Sequence, residues 1–233
     1  MSSRKADPAP AVVLFDIDGT LLRRAGPHHR EALEEAVRRV TGLDSSTEHI
    51  PVHGMLDRDI LGLMLTGAGA SAAAARRAMP AIVEVAQRIY RRTCPNLTRK
   101  VCPGARMLLY RLHRRGIPTG LVTGNLTRIG WRKMECAGLR PYLHFGAFAE
   151  MARDRAGLAR LAIRQAREAG CIGPGTRISL IGDHPNDIQA ARANGIQSVA
   201  VATGISTAAE LAAHTPDLLV PDLRHLQLEL LLP

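Results

Sequence analysis

A short apolar run that ends in two carboxylates constrains this chain more than any other stretch. Val12, Val13, Leu14 and Phe15 lead into Asp16, Ile17, Asp18, Gly19 and Thr20. An unbroken apolar run of this length, bounded by polar residues, reads as a strand buried on both faces rather than as an amphipathic helix. Residues i and i+2 of an extended segment point to one side, so Asp16 and Asp18 are expected to face the same small volume. Carboxylates that close repel each other unless a cation or a shared proton offsets the charge. The pair therefore asks for a hard divalent metal, or for one protonated acid, at the carboxyl end of a strand, where open α/β sheets place their ligands. Gly19 frees the backbone to turn away. Taken alone, the stretch reads equally well as a strand entering an Asp-rich turn.

A chain of 233 residues is long enough for one large domain or for a core with an insertion. Aromatic residues make up only 3%, so the core has to be built from Leu, Ile, Val, Ala and Met. No apolar run approaches the roughly 20 residues that span a bilayer. The amino-terminal MSSRKADPAP has no apolar segment ahead of a cleavage site, which predicts no signal peptide. Residues 1–10 are expected to be a flexible tail, and the protein cytoplasmic with no membrane partner. Cys94, Cys102, Cys136 and Cys171 show no metal-ligand spacing and no adjacent histidine set, which argues against zinc and against a disulfide framework. The net charge of +10 is carried by arginine, since lysine occurs only at Lys5, Lys100 and Lys133. Such a balance attracts anionic small molecules, but no basic block is interleaved with aromatics, so a dedicated nucleic-acid surface is not expected.

Periodicity predicts helices over His29 to Val40 and Arg58 to Leu65, and a third opening at Ser71 in which Ala75, Met79, Ile82, Ala86 and Ile89 share a face. Pro80 predicts two helices meeting at Met79, because an internal proline breaks or kinks a helix. The next strong strand is Ile117 to Val122. A helical block of about eighty residues between strands exceeds an ordinary crossover of a dozen or so and reads as an inserted domain. Helices at Ala105 to Arg115, Leu126 to Ala137, Ala156 to Ala169 and Asp187 to Asn194 then alternate with strands at Ile117 to Val122, Phe145 to Phe148, Arg177 to Ile181 and Ser198 to Val201. The alternation predicts right-handed βαβ units: an α/β, Rossmann-like parallel sheet with helices on both faces.

Two further strands end in polar signatures. Val122 runs into Thr123, Gly124 and Asn125, a turn at a helix entry where backbone N–H groups and the helix dipole favour an anion, although Thr123 also serves as a helix cap. Ile181 runs into Gly182, Asp183, His184, Pro185, Asn186 and Asp187. Asp183 adds a third carboxylate at a third strand end, which makes an oxygen-rich cluster suited to Mg²⁺.

The segments DIDGT at Asp16 to Thr20, VTGN at Val122 to Asn125 and GDHPNDIQAARANG at Gly182 to Gly195 resemble, in order and placement, the signatures of the haloacid dehalogenase superfamily. The helical insertion resembles the α-helical cap of its phosphoglycolate phosphatase-like branch, as do Val199 to Gly204 and Thr215 to Leu223. The resemblance implies a core over residues 11–22 and 101–233 and a cap over residues 23–100. It implies that Asp16 is a nucleophile toward phosphorus, forming an aspartyl-phosphate, and that Asp18 protonates the leaving alcohol and then activates water. It implies Mg²⁺ held by the Asp16 side chain, the Asp18 backbone carbonyl and the Asp183 side chain, with Asp187 supporting that shell. It implies a phosphate site at Thr123, Gly124 and Asn125, the last two through backbone donors.

One element departs from that pattern. The family places a lysine ahead of the helix preceding its last motif, and this chain has no lysine after Lys133. Arg153 and Arg155 are the candidates, and Leu158 and Leu161 follow Arg155 at the spacing of a buried helix face. Arg155 is therefore assigned to the nucleophile and phosphate, with a fixed planar fork in place of an ammonium. The implied function is a Mg²⁺-dependent phosphatase acting on a small phosphorylated metabolite such as phosphoglycolate. A sugar-phosphate mutase with the same aspartate pair, and a binding protein that lost efficient chemistry, remain alternatives. A dehalogenase needs neither the second acid nor a metal cluster. A phosphonoacetaldehyde-type hydrolase needs a cap lysine that Lys100 supplies poorly. His28, His29, Arg30, His53 and Arg58 are polar candidates to line the insertion's entrance, each expected at the surface, and His53 with Gly54 and Asp57 stands out as the turn from which a cap loop can reach substrate.

Overall fold

The computed structural model describes residues 8–23 and 26–233. Most of the expected tail, residues 1–7, lies outside them. Six parallel strands form one sheet in the order β3-β2-β1-β4-β5-β6, where β1 is Ala11–Phe15, β2 Thr119–Val122, β3 Phe145–Ala147, β4 Arg177–Gly182, β5 Gln197–Val201 and β6 Leu218–Val220. All five residues of β1 are fully buried. Val12 and Leu14 enter the core on one face, whereas Ala11, Val13 and Phe15 enter the core on the other, so alternation of side chains supplies two hydrophobic layers from one apolar run.

Helices α4 (Ala105–Arg114), α5 (Thr127–Cys136), α6 (Arg155–Glu168), α7 (Pro185–Ala193) and α8 (Ala208–Ala213) flank the sheet. The chain runs outward from β1 to β2 and β3, then returns to β4 on the opposite side of β1. The crevice at the carboxyl ends of β1 and β4 is thus a topological switch point, the usual ligand position in an open α/β sheet. Phe15 pairs with Ile181, and the Asp16 N–H donates to the Ile181 carbonyl at 2.9 Å, so Asp16 and the residues after β4 leave the sheet side by side.

Three helices lie between β1 and α4 and form a block of their own: α1 (His28–Thr41), α2 (Asp57–Gly67) and α3 (Ala72–Thr93). Their apolar faces pack together through Leu33, Ala36, Val37, Leu61, Met64, Ile82 and Ala86. The two connections to the sheet run side by side. Leu22 and Val101 form an antiparallel bridge, and the Arg23 N–H donates to the Lys100 carbonyl at 2.8 Å. Gly42 stops α1 in a left-handed conformation, with φ of 73°.

The break expected at Met79 does not occur. α3 is continuous through Pro80, with Ser71 as its N-cap. Pro80 lies on the exposed side of the helix, and Arg76, whose carbonyl loses its helical donor, is exposed to water. Ala75 before the proline and Ile82, Ala86 and Tyr90 after it share one buried face, and that packing outweighs a penalty of about 3 kcal/mol. The sequence reading also missed α8 and β6; β6 has three residues and none is fully buried, so it carries no periodic signal. Replacing Pro80 with alanine is expected to raise the unfolding free energy by about 1–3 kcal/mol. Denaturant unfolding of the two proteins measures the difference.

Candidate active site

Asp16 follows the last residue of β1, and Asp183 and Asp187 follow β4. All three are buried, and each offers one oxygen within 4.8 Å of the others. Backbone geometry forces this closeness. Gly19 has φ of 90°, and a Cβ there would lie 2.1 Å from Asp183 Oδ2. A Cβ on Gly204 would lie 1.6 Å from the same oxygen, and one on Gly182 would lie 2.2 Å from the Asp187 carboxyl carbon. Three glycines therefore clear the space that the acids occupy. The Thr20 hydroxyl donates to Asp183 Oδ1 at 3.1 Å. Asp187 closes a capping box at the start of α7, its Oδ2 accepting from the His184 N–H at 3.2 Å, while its Oδ1 is buried without a hydrogen bond.

The counter-charge comes from Arg155, the first residue of α6, held there by the Asp154 N-cap. Its Nη1 donates to Asp16 Oδ1 at 2.8 Å and to the Val122 carbonyl at 3.3 Å, and lies 3.3 Å from Asp187 Oδ1. Arg153, the other candidate, is exposed. One guanidinium faces three carboxylates, so the acids titrate abnormally. Burial pushes the Asp183 carboxyl up to about 8, with the Asp16 and Asp187 charges adding to the shift. Burial likewise pushes Asp187 up to about 7 against the pull of Arg155. Asp16 is raised by burial, with Arg155 opposing and Asp18 adding. Three hard oxygen donors, one of them unsatisfied, and a shortfall of positive charge fit a divalent cation such as Mg²⁺.

Asp18 makes its hydrogen bonds to other residues than this cluster does. Its two oxygens accept from Lys133 Nζ at 2.8 and 2.6 Å, and its Oδ2 accepts from Asn125 Nδ2 at 2.8 Å. Burial works to raise its pKa, but the Lys133 charge, then His29, and the hydrogen bonds from Lys133 and Asn125 hold it below the usual carboxylate range. The expectation that Asp16 and Asp18 share one volume is thus only half met: they lie at one strand end, but each has its own cation.

Thr123, Gly124 and Asn125 follow β2 as expected, yet their contacts differ from the assignment. The Asn125 N–H is directed back to Thr123 Oγ1 at 3.3 Å, and its side-chain amide donates to Thr123 Oγ1 and to Asp18. Gly124 lets another backbone approach, since a Cβ there would lie 2.3 Å from the Met55 carbonyl oxygen. Its own carbonyl accepts from the Asp57 N–H at 2.7 Å.

Lys133 escaped the sequence reading as a site residue, and the bonds that join it to His29 and through His29 to Asp57 were not expected. Each of the three residues carried a signal. Lys133 lies between Ile129 and Ala137 at four-residue spacing on the apolar face of α5, His29 precedes Leu33 on α1, and Asp57 precedes Leu61 on α2. A polar residue inside such a stripe needs a buried partner. His29, expected at the surface, instead bonds to Asp57 and packs edge-on against the Tyr90 ring at 5.6 Å.

The raised acids set a pH dependence for the metal-free protein. Between the ordinary value of 3.8 and about 8, folded Asp183 keeps a proton that the unfolded chain has released. Stability is therefore expected to fall as pH rises through this window, with Asp187 contributing up to about 7. Asp18 acts oppositely but only at lower pH, where its stabilising charge is lost as it protonates below 3.8. Thermal unfolding in chelator across the window measures this.

A comparison with curated protein sequences found no match. Among solved structures, CbbY from Rhodobacter sphaeroides in complex with phosphate is 20% identical, with 94% of this chain and 98% of that chain covered at a TM-score of 0.71. β-Phosphoglucomutase from Clostridium difficile is 18% identical, with 94% of each chain covered and a TM-score of 0.68. A predicted phosphoglycolate phosphatase from Haemophilus somnus 129PT is 17% identical, with 91% and 94% covered and a TM-score of 0.65. These likenesses show a shared fold. Among the described residues no helix is long and apolar enough to cross a membrane. The family described as haloacid dehalogenase-like hydrolase matches residues 10–195, and the chain belongs to it.

Proposed function

We propose that this hydrolase is a Mg²⁺-dependent phosphatase that acts on a small organic phosphomonoester through an aspartyl-phosphate on Asp16. The observation that carries the reading is the separation of two acids at one strand end. Asp16 faces Arg155 and the acidic cluster, whereas Asp18 faces Lys133 and Asn125. That division suits a nucleophile and a proton carrier acting on one phosphorus centre. Asp16 attacks phosphorus while Asp18, ionised in the free protein and protonated in the substrate complex, gives its proton to the departing alkoxide. Asp18, now ionised, takes a proton from water as that water attacks the acyl phosphate, which releases inorganic phosphate and restores Asp16. Arg155 binds phosphoryl oxygens and holds the nucleophile, and Thr123 with Gly124 and Asn125 completes the phosphate cradle. Asp16, Asp183 and the Asp18 carbonyl, supported by Asp187, would hold Mg²⁺, which would offset the negative charge of the carboxylates and the phosphate.

Residues 23–100 serve as the cap over a core of residues 11–22 and 101–233. The seam between them is closed by backbone and side-chain bonds. The Leu126 N–H donates to Asp57 Oδ2 at 2.8 Å, the Arg128 N–H to Gln87 Oε1 at 2.7 Å, and Asn186 Nδ2 to the Gly54 carbonyl at 2.9 Å. Acceptors on the helical block thereby satisfy N–H groups at the start of α5. Such a seat excludes bulk water from the reaction and favours a small substrate. The solved Rhodobacter sphaeroides protein holds phosphate in one structure and xylulose-(1,5)bisphosphate in another, which supports a phosphorylated metabolite as substrate class.

Asp16→Asn is expected to abolish release of phosphate from p-nitrophenyl phosphate while leaving the circular dichroism spectrum unchanged; retained turnover contradicts the mechanism. Inorganic phosphate as the main product from a metabolite panel separates hydrolysis from internal phosphoryl transfer. Mg²⁺ is expected to raise the melting temperature more at the alkaline end of the window set by Asp183 than at its acid end, because the cation competes with fewer protons there.

A further inference from the structure

Lys133 is completely buried, and its side chain is the only charged one on the inward face of α5. All three of its ammonium protons have acceptors: Asp18 Oδ1 at 2.8 Å, Asp18 Oδ2 at 2.6 Å and His29 Nδ1 at 3.2 Å. Because His29 Nδ1 accepts, its proton sits on Nε2, which donates to Asp57 Oδ2 at 2.9 Å. Asp57 Oδ2 also accepts from the Leu126 N–H at the start of α5. The chain of bonds therefore starts and ends on α5 and passes through α1 and α2. The Asp18 side chain is 39% exposed while the Lys133 side chain is 1% exposed, so the carboxylate is gripped from beneath and open above.

We infer that Lys133 is a positioning residue for the proton-carrying carboxylate: its ammonium, aimed by His29 and Asp57, holds Asp18 in a working orientation before substrate arrives. The inference rests on the role proposed above for Asp18. A free aspartate side chain rotates about two bonds, and the bidentate grip removes that freedom. Seating of the helical block is part of the grip, since His29 and Asp57 come from it.

The test exploits the leaving group. p-Nitrophenolate departs without protonation, whereas an alkoxide needs the acid, and kcat/KM reports the phosphorylation step for both. With Mg²⁺ present, Lys133→Met is expected to lower kcat/KM for an alkyl phosphate such as glycerol 1-phosphate by about a hundredfold or more, and for p-nitrophenyl phosphate by less than about tenfold. His29→Ala is expected to show the same imbalance at smaller size, and it decides the matter if Lys133→Met fails to fold. Equal losses on both substrates in the folded variant would overturn the inference, because a merely structural lysine lowers both alike. If the parent protein turns over neither substrate, the phosphatase reading fails; the positioning claim is then decided by the crystal structure of His29→Ala or Lys133→Met. An Asp18 carboxylate that has left its present orientation upholds it, and an unmoved one overturns it.

Discussion

Three buried carboxylates share a volume with a single guanidinium, and the layout of the site follows from that imbalance. Arg155 stands 2.8 Å from Asp16 and 3.3 Å from Asp187, and no second cation reaches Asp183 among the described residues. A charge buried without compensation is costly, so the cluster either keeps protons or recruits a cation. The sheet makes the crowding unavoidable. β1 and β4 are neighbours in register, so Asp16 and Asp183 emerge together, and glycines at positions 19, 182 and 204 remove every Cβ that would hold them apart. The fold spends its stability to create a site that a hard cation and an anionic ligand together would relieve.

Asp18 shows the opposite arrangement two residues away. Its charge is paired with Lys133, so its pKa is lowered while that of Asp16, which feels the Asp18 charge as well as burial, is raised. Lys133 also bonds to His29 on α1, which links this second ion pair to the helical block. Gly124 admits the backbone at Met55, and Asp57 bonds to both Gly124 and Leu126. Asp57 thus seats the block on the sheet and also bonds to His29, the partner of Lys133.

The sheet core was largely legible because β1, β2 and β4 are short apolar runs that end in chemically distinctive turns. Asp16, Thr123 and Asp183 could be placed at strand ends from pattern alone, and Arg155 could be preferred to Arg153 from the apolar spacing behind it. What escaped was tertiary. The continuity of α3 through Pro80 depends on packing on both sides of the proline, and β6 is too short and too exposed to show a period. Lys133, His29 and Asp57 each break an apolar stripe on a different helix, and nothing in the linear pattern says that the three interruptions meet. Asn125 was read through its backbone, whereas its side chain is what reaches Asp18.

The central claim is that phosphorus becomes bonded to Asp16. Acid quenching during turnover of a phosphomonoester, followed by mass spectrometry of the intact chain and of its peptides, tests this directly. One added phosphoryl group on the peptide carrying Asp16, chased away by longer incubation, is the predicted result. Turnover without a covalent phosphoryl group, or with one on another residue, would contradict the account.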